Sequence, residues 1–205
     1  MLRTLRRAAD RRRQAGGDYG WLFNPYTGDE LVAIDCETTG LDPRRAELVS
    51  IAAVTVRGER VITSESLDLR LQCPTSLDGD SIRIHGLRGV DLDGGESVGD
   101  ALARLLDFIG NRPLLGWCID YDVTVINRQL RPRFGFDLPN ALIDISHRYA
   151  RELRRKHPDI DPDRGFESMA RMLDVPVMGR HTALGDAVTT ALMYLRLQRR
   201  ALDVG

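Results

Sequence analysis

Apolar residues recur along this chain with two periods, and the order in which the periods appear predicts a mixed α/β sheet. Leu31 to Ile34 is a short apolar run with two β-branched residues, the mark of a buried strand. Leu48 to Val56 is a second run rich in Ile and Val. The turn Arg57-Gly58-Glu59 leads from it into a third run, Arg60 to Leu71, so the first three strands form an antiparallel meander. The rhythm then changes. Ser97 caps a helix whose apolar face is Ala101, Leu102, Leu105, Leu106 and Ile109, and Gly110-Asn111 stops it. Pro113 to Cys118 reads as a short strand. Asp120 to Leu130 reads as a helix with Val123, Ile126 and Leu130 inward, ended by Pro132. Ala141 to Ile145 is the last strand, followed by helices over 146–156, 166–173 and 182–197. The stretches 74–80, 91–96 and 157–165 read as loops. The order β-β-β-α-β-α-β-α predicts a mixed sheet flanked by helices, with no domain boundary inside residues 28 to 200.

Composition changes this picture little. The 205 residues suffice for one full core, and 42% hydrophobic with 29% charged residues is ordinary for a globular chain. No window approaches the roughly 20 apolar residues that span a bilayer, so no membrane association is expected. Cys36, Cys73 and Cys118 are odd in number and widely spaced. They point to a reducing compartment, hence the cytoplasm, without a disulfide framework or a zinc site.

Charge matters at one end. The net charge is -1, yet Arg3, Arg6, Arg7, Arg11, Arg12 and Arg13 crowd the first 17 residues, with Leu2, Leu5 and Ala9 at helical spacing. Residues 1–27 therefore read as a basic N-terminal extension, and 28–200 as the domain proper. A solvated or frayed helix, an arm that touches nucleic acid and an Arg-rich transit peptide are all consistent with it. Trp21, Phe23 and Tyr26 are expected to pack against the domain, with base stacking as the alternative.

The chemistry gathers at two places. Asp35 and Glu37 stand two apart at the end of the first strand, so both carboxylates share one face and Cys36 takes the other. Two acids on one face repel and pay desolvation, and a divalent cation relieves both. Two acids at a solvated strand end is the plainer reading of the same pattern. Thr38-Thr39-Gly40 then turns the chain, with a positive φ available at Gly40. Far along the chain, His181 and Asp186 lie about 140° apart on an α-helix. They meet only if His181 sits on the entering loop and Asp186 in the first turns, where the helix dipole favours a carboxylate. A capping Asp beside a surface His is the alternative.

Taken together, these stretches resemble the DnaQ-like 3′→5′ exonucleases of the DEDDh type. Asp35 through Leu41 match their D-x-E-T-T-G-L motif, His181 through Ala187 match H-x-A-x-x-D-A, and Ile84 to Gly86 match I-H-G. The resemblance covers about residues 31 to 198. The second motif departs from it: Trp117-Cys118 stands where the family has His-Asn, and Asp120 and Asp122 compete for the catalytic place. They lie about 200° apart on a helix, so one alone faces the site. Tyr121-Asp122 matches the family's aromatic-Asp pair, which selects Asp122.

The resemblance implies an RNase H-like fold with a five-stranded mixed sheet. It implies Asp35, Glu37, Asp122 and Asp186 as ligands of two Mg²⁺ or Mn²⁺ ions, which suit hard oxygen donors. Two such ions about 4 Å apart clamp the attacking and leaving oxygens of a phosphodiester. It implies His181 as general base, and Thr38, Leu41 and His85 as contacts to the terminal nucleotide, although a lone His is more often structural. The implied reaction releases nucleoside 5′-monophosphates from single-stranded 3′ ends. DNA is the expected substrate, in replication or repair and with a DNA polymerase as a possible partner. RNA or short oligoribonucleotides are the alternative, and a catalytically silent nucleic-acid- or polymerase-binding module is a third reading.

Overall fold

The structure is a computed structural model that describes residues 2–159 and 161–202, without the side chains of 2, 3 and 200–202. Leu2 and Arg3 of the basic stretch thus lie outside the described side chains. Among the described residues five strands form one sheet: β1 (Glu30–Thr38), β2 (Leu48–Arg57), β3 (Arg60–Arg70), β4 (Leu114–Gly116) and β5 (Leu142–Asp144). The order across the sheet is β3-β2-β1-β4-β5. The first three strands pair antiparallel, and β4 and β5 run parallel to β1. This is the mixed five-stranded sheet the sequence predicts.

Among the described residues seven α-helices accompany it: α1 (Leu2–Arg13), α2 (Gly79–His85), α3 (Val98–Ile109), α4 (Asp120–Phe134), α5 (Ile145–Lys156), α6 (Phe166–Met172) and α7 (Ala183–Leu202). The alternation of strand side chains sorts the core into two layers. Val32, Ile34 and Cys36 of β1 pack with Leu102 and Leu105 of α3 and Ile126 and Leu130 of α4. Ala33 of the same strand packs on the other side with Ala187 and Ala191 of α7 and Phe166 of α6. With both faces covered, β2 buries every residue but its last, which explains its unbroken Ile/Val/Ala run.

Three local readings need correction. Pro132 does not end α4, which runs on to Phe134 and stops at Gly135 in the left-handed region. In the last turn a missing N–H removes little, and Gly135 supplies the cap. The loop read over 74–80 ends two residues sooner, at Asp78, which caps α2: Asp78 accepts from the N–H groups of Asp80 and Ser81, and the Ser81 hydroxyl meets the Asp78 N–H in return. Gly40 does not use a positive φ. The three aromatics pack on the domain as expected: the Trp21 ring lies against Gly110 although Trp21 stays partly exposed, Phe23 is buried and Tyr26 half-buried. Phe23 meets Phe136 edge-on at 5.6 Å, and the Tyr26 hydroxyl accepts the Glu30 N–H at 3.0 Å.

Helix α1 lies against α4. Asp10, 1% exposed, accepts from Arg131 of α4 at 2.7 Å and also pairs with Arg13. These partners hold its carboxyl below the usual range against the opposing effect of burial. Among the described residues no helix is long and apolar enough to cross a membrane.

Candidate active site

The site forms where the parallel strands end. β4 pairs with β1 at Val32 and Ala33, so the turn leaving β4 arrives beside the last residues of β1. Cys118, at φ 55°, reverses the chain there and launches α4. On β1 the parity that sends Cys36 into the α3/α4 layer sends Asp35 and Glu37 toward α7. There they meet Asp186, in the first turn of α7. Asp35, Glu37 and Asp186 each offer an oxygen within 4.8 Å of the others.

Asp122 enters from the other layer. Its Oδ1 accepts the backbone N–H of Cys36 at 3.0 Å, between the two β1 acids. It is buried and lines the same cleft, but its oxygens stand outside the three-acid group. Asp120 is exposed and lines a separate groove beneath α1, with Arg6 and Arg7. The helical phase thus separates the two aspartates as their 200° spacing requires.

His181 sits on the turn entering α7 at φ 62°, in the left-handed region. Its N–H approaches Asp186 Oδ2 at 3.3 Å. The turn is held by Thr182, whose hydroxyl donates to the Gly179 carbonyl at 2.6 Å and accepts the Gly185 N–H at 3.2 Å. Gly185 itself packs against the Met178 and Gly179 carbonyls, where a Cβ would collide with backbone.

These residues line a cleft of about 650 Å³. Thr38, Leu41 and His85 line it as well. Leu41 is 85% exposed, an apolar side chain presented to solvent at the rim. The Thr38 hydroxyl meets the Tyr121 hydroxyl at 2.7 Å and donates to the Gly40 carbonyl. His85 is buried; its Nδ1 accepts the Leu87 N–H at 3.0 Å, which places its proton on Nε2, and Nε2 has no partner. Burial keeps this imidazole below its usual pKa, hence neutral.

The electrostatics are those of crowded acids. Burial, then the repulsion of Asp122, Glu37 and Asp186, pushes Asp35 well above the usual range. Burial, then Asp186, raises Glu37 to about 7. Burial raises Asp122 to about 7 against the N–H bonds it accepts. Asp186 is raised by burial too. Its Oδ1 is buried with no hydrogen-bond partner. A buried, unpartnered carboxylate oxygen among three converging acids is what a divalent cation satisfies, and an all-oxygen donor set suits Mg²⁺ or Mn²⁺.

Sequence reasoning missed Arg180. Its guanidinium pairs with Asp186 Oδ2 and lies over the Phe166 ring at 4.5 Å. Phe166 in turn meets Trp117 edge-on at 5.6 Å, and the Trp117 indole N–H donates to the Arg164 carbonyl at 3.0 Å. Adjacency to His181 was the one available signal; the partners come from three other elements.

Comparison with known proteins follows this geometry. The profile of the RNase T family, described as exonuclease, matches residues 32–194. The chain is 23% identical over 179 residues to DNA polymerase III PolC-type of Caldanaerobacter subterraneus; the match spans 86% of this chain but only 12% of that polymerase. It is 28% identical over 189 residues to the oligoribonuclease of Streptomyces coelicolor, covering 86% of this chain and 88% of the relative. In fold it is similar to E. coli exonuclease I in complex with a dT13 oligonucleotide, with a TM-score of 0.69 at 19% identity, covering 86% of this chain and 43% of that one.

Proposed function

Because the chain belongs to the RNase T exonuclease family, we propose that it is a metal-dependent 3′→5′ exonuclease that removes nucleoside 5′-monophosphates from single-stranded ends. The observation that carries this reading is the convergence of Asp35, Glu37 and Asp186, with the Asp186 Oδ1 left unpartnered, beside His181 in one cleft. These three acids, with Asp122 beside them, would hold two Mg²⁺ or Mn²⁺ ions. When bound, such ions polarise the phosphodiester and stabilise the charge that develops on its oxygens.

The chain's own residues do the rest. His181, on its turn at the rim, accepts the proton of the attacking water. The water oxygen bonds to phosphorus, the bond to the 3′ oxygen of the preceding nucleotide breaks, and that oxygen takes a proton from solvent. His85, neutral with its proton on Nε2, donates a hydrogen bond to the substrate. Leu41 offers its exposed apolar side chain to the terminal base, and the Thr38–Tyr121 pair fixes the floor beneath it.

DNA is the favoured substrate, in line with the polymerase relative, and a DNA polymerase is the corresponding partner. A second reading, hydrolysis of short oligoribonucleotides, is favoured by the oligoribonuclease match, which spans 88% of that relative. The test offers the purified protein 5′-labelled single-stranded DNA, RNA and RNA dinucleotides with Mn²⁺. Stepwise shortening of the 5′-labelled strand is expected, abolished by EDTA and restored by Mg²⁺ or Mn²⁺. Full activity in excess EDTA, or labelled mononucleotide at the first time point from a long strand, overturns the reading. Preference for the dinucleotide over long strands decides for the oligoribonucleotide.

A further inference from the structure

We propose that Arg180 is a resident counter-cation of the acid cluster, held over it by Phe166 and Trp117, and that a divalent cation must displace it from Asp186 to bind. The inference rests on the metal-dependent reading of the cleft given above.

Four observations lead to it. First, the guanidinium engages only one oxygen of Asp186; Oδ2 takes Arg180 and the His181 N–H, while Oδ1 stays buried and unpartnered. Arg180 therefore offsets part of the cluster's charge without completing its hydrogen bonding. Second, Arg180 is held incompletely as well. Its Nε is buried without a hydrogen bond, with a Glu167 carboxylate oxygen 3.7 Å away, too far to accept one. A guanidinium that spends one N–H on Asp186 and leaves another unmet is not in the fork geometry that makes arginine pairs strong.

Third, the planar group is clamped on one side by Phe166 at 4.5 Å. Phe166 is buried and braced edge-on by Trp117, which is anchored to the Arg164 carbonyl. A cation over an aromatic face keeps a favourable site when it leaves its carboxylate, so the stack gives the displaced guanidinium somewhere to remain. Fourth, Arg180 eases the repulsion that burdens three acids at once, Asp35, Glu37 and Asp186. Asp186 also has the His181 N–H, whereas Asp35 and Glu37 are relieved by Arg180 alone among the groups around them.

The role is one of positioning and competition rather than chemistry on the substrate. It also gives Trp117 a purpose. Trp117 stands at the departure from the family's second motif, and here it braces the ring that holds the counter-cation.

The experiment compares Mn²⁺ binding by calorimetry, without nucleic acid, in the full chain, in Arg180→Gln and in Phe166→Leu. A purely structural arginine would weaken metal binding when removed. A competing one tightens it. Arg180→Gln is expected to lower the Mn²⁺ Kd about tenfold, the equivalent of one charge-assisted hydrogen bond released. Thermal unfolding in EDTA should show this variant less stable than the full chain, with a larger rise in Tm on adding Mn²⁺. Phe166→Leu keeps the charge and loosens the clamp, so a smaller shift in the same direction is expected. It carries the test if Arg180→Gln fails to fold. Equal or weaker Mn²⁺ binding in the folded variants overturns the inference while leaving the metal-dependent reading in place. Absence of binding in the full chain and both variants overturns both.

Discussion

Two stretches bring charge to the cleft by opposite means. Asp35 and Glu37 ride the central strand, paired in unbroken register with β2 from Glu30 to Glu37 and with β4 at Val32 and Ala33. His181 rides a turn of irregular backbone at φ 62°, a conformation that costs a non-glycine residue of order 1 kcal/mol. The strand is fixed by repetition, because many equivalent hydrogen bonds share the load. The turn is fixed by a few singular contacts: the Thr182 hydroxyl, the Gly179 carbonyl and the bare Cα of Gly185. The proposed metal ligands Asp35 and Glu37 sit on the strand, and the proposed proton acceptor, His181, sits on the turn.

Damage at the two places should therefore differ in kind. The largest effect is expected at the converging acids of β1 and α7. Asp35→Asn or Asp186→Asn should cut turnover by at least about 10³-fold, the rate equivalent of several kcal/mol of charge stabilisation, and should abolish Mn²⁺ binding in calorimetry. Next comes the proposed proton acceptor. His181→Ala should slow single turnover by roughly 10²–10⁴-fold while Mn²⁺ still binds; loss of both together would place His181 among the ligands instead.

The turn can also be broken without touching a charged group. A methyl at Gly185 meets backbone carbonyls on both sides, so Gly185→Ala must shift the turn that carries His181. A rate loss on the order of 10²-fold is expected, the usual consequence of a displacement of about 1 Å in a catalytic group. Wild-type rates in that variant would show that the turn tolerates movement.

A smaller effect sharpens the comparison through pH. Glu37 and Asp122 are raised to about 7 from ordinary values of 4.5 and 3.8. Between those values the folded protein holds protons that the unfolded chain has released, so stability is present at pH 5 and lost as pH rises toward 7. In EDTA, Tm should fall over that interval, Glu37→Gln should flatten the slope, and saturating Mn²⁺ should remove most of it. Asp10, Glu30 and Glu47 are shifted the other way, by their arginine or hydroxyl partners, and act only below the ordinary carboxylate range. The smallest effect is expected at Asp120, exposed and away from the cleft: Asp120→Asn should change stability by no more than about 0.5 kcal/mol and keep most activity. An inactive Asp120→Asn beside an active Asp122→Asn would mean that α4 presents its other face.

How much of this was legible in the amino-acid order depends on distance along the chain. The strands could be read because β-branched runs and turns are local, and the alternation of Asp35, Cys36 and Glu37 follows from strand geometry alone. The same holds for the phase of Asp120 and Asp122. Helix α2 was hidden by its composition: Pro74, Gly79 and Asp80 read as loop, and the cap that nucleates the helix lies in the pairing of Asp78 with Ser81. The inward turn of Arg180 was not legible, because it depends on Phe166, Trp117 and Asp186 from separate elements. The same is true of Asp10. An aspartate among arginines reads as a surface residue until Arg131, 121 positions away, comes to meet it.

The alternation along β1 has a consequence for how the chain finds its fold. Sliding this strand by one residue against β2 would turn Cys36 into the cleft and drive two carboxylates into the greasy layer beneath α3 and α4. An unpaired charge in such a place costs several kcal/mol, a large part of what a domain of this size has in hand. The misaligned sheet is thus penalised far more heavily than a strand with neutral residues at 35 and 37 would be. The acids that fit this protein for hydrolysis also act as an alignment key, rejecting wrong pairings of the central strand before any substrate arrives.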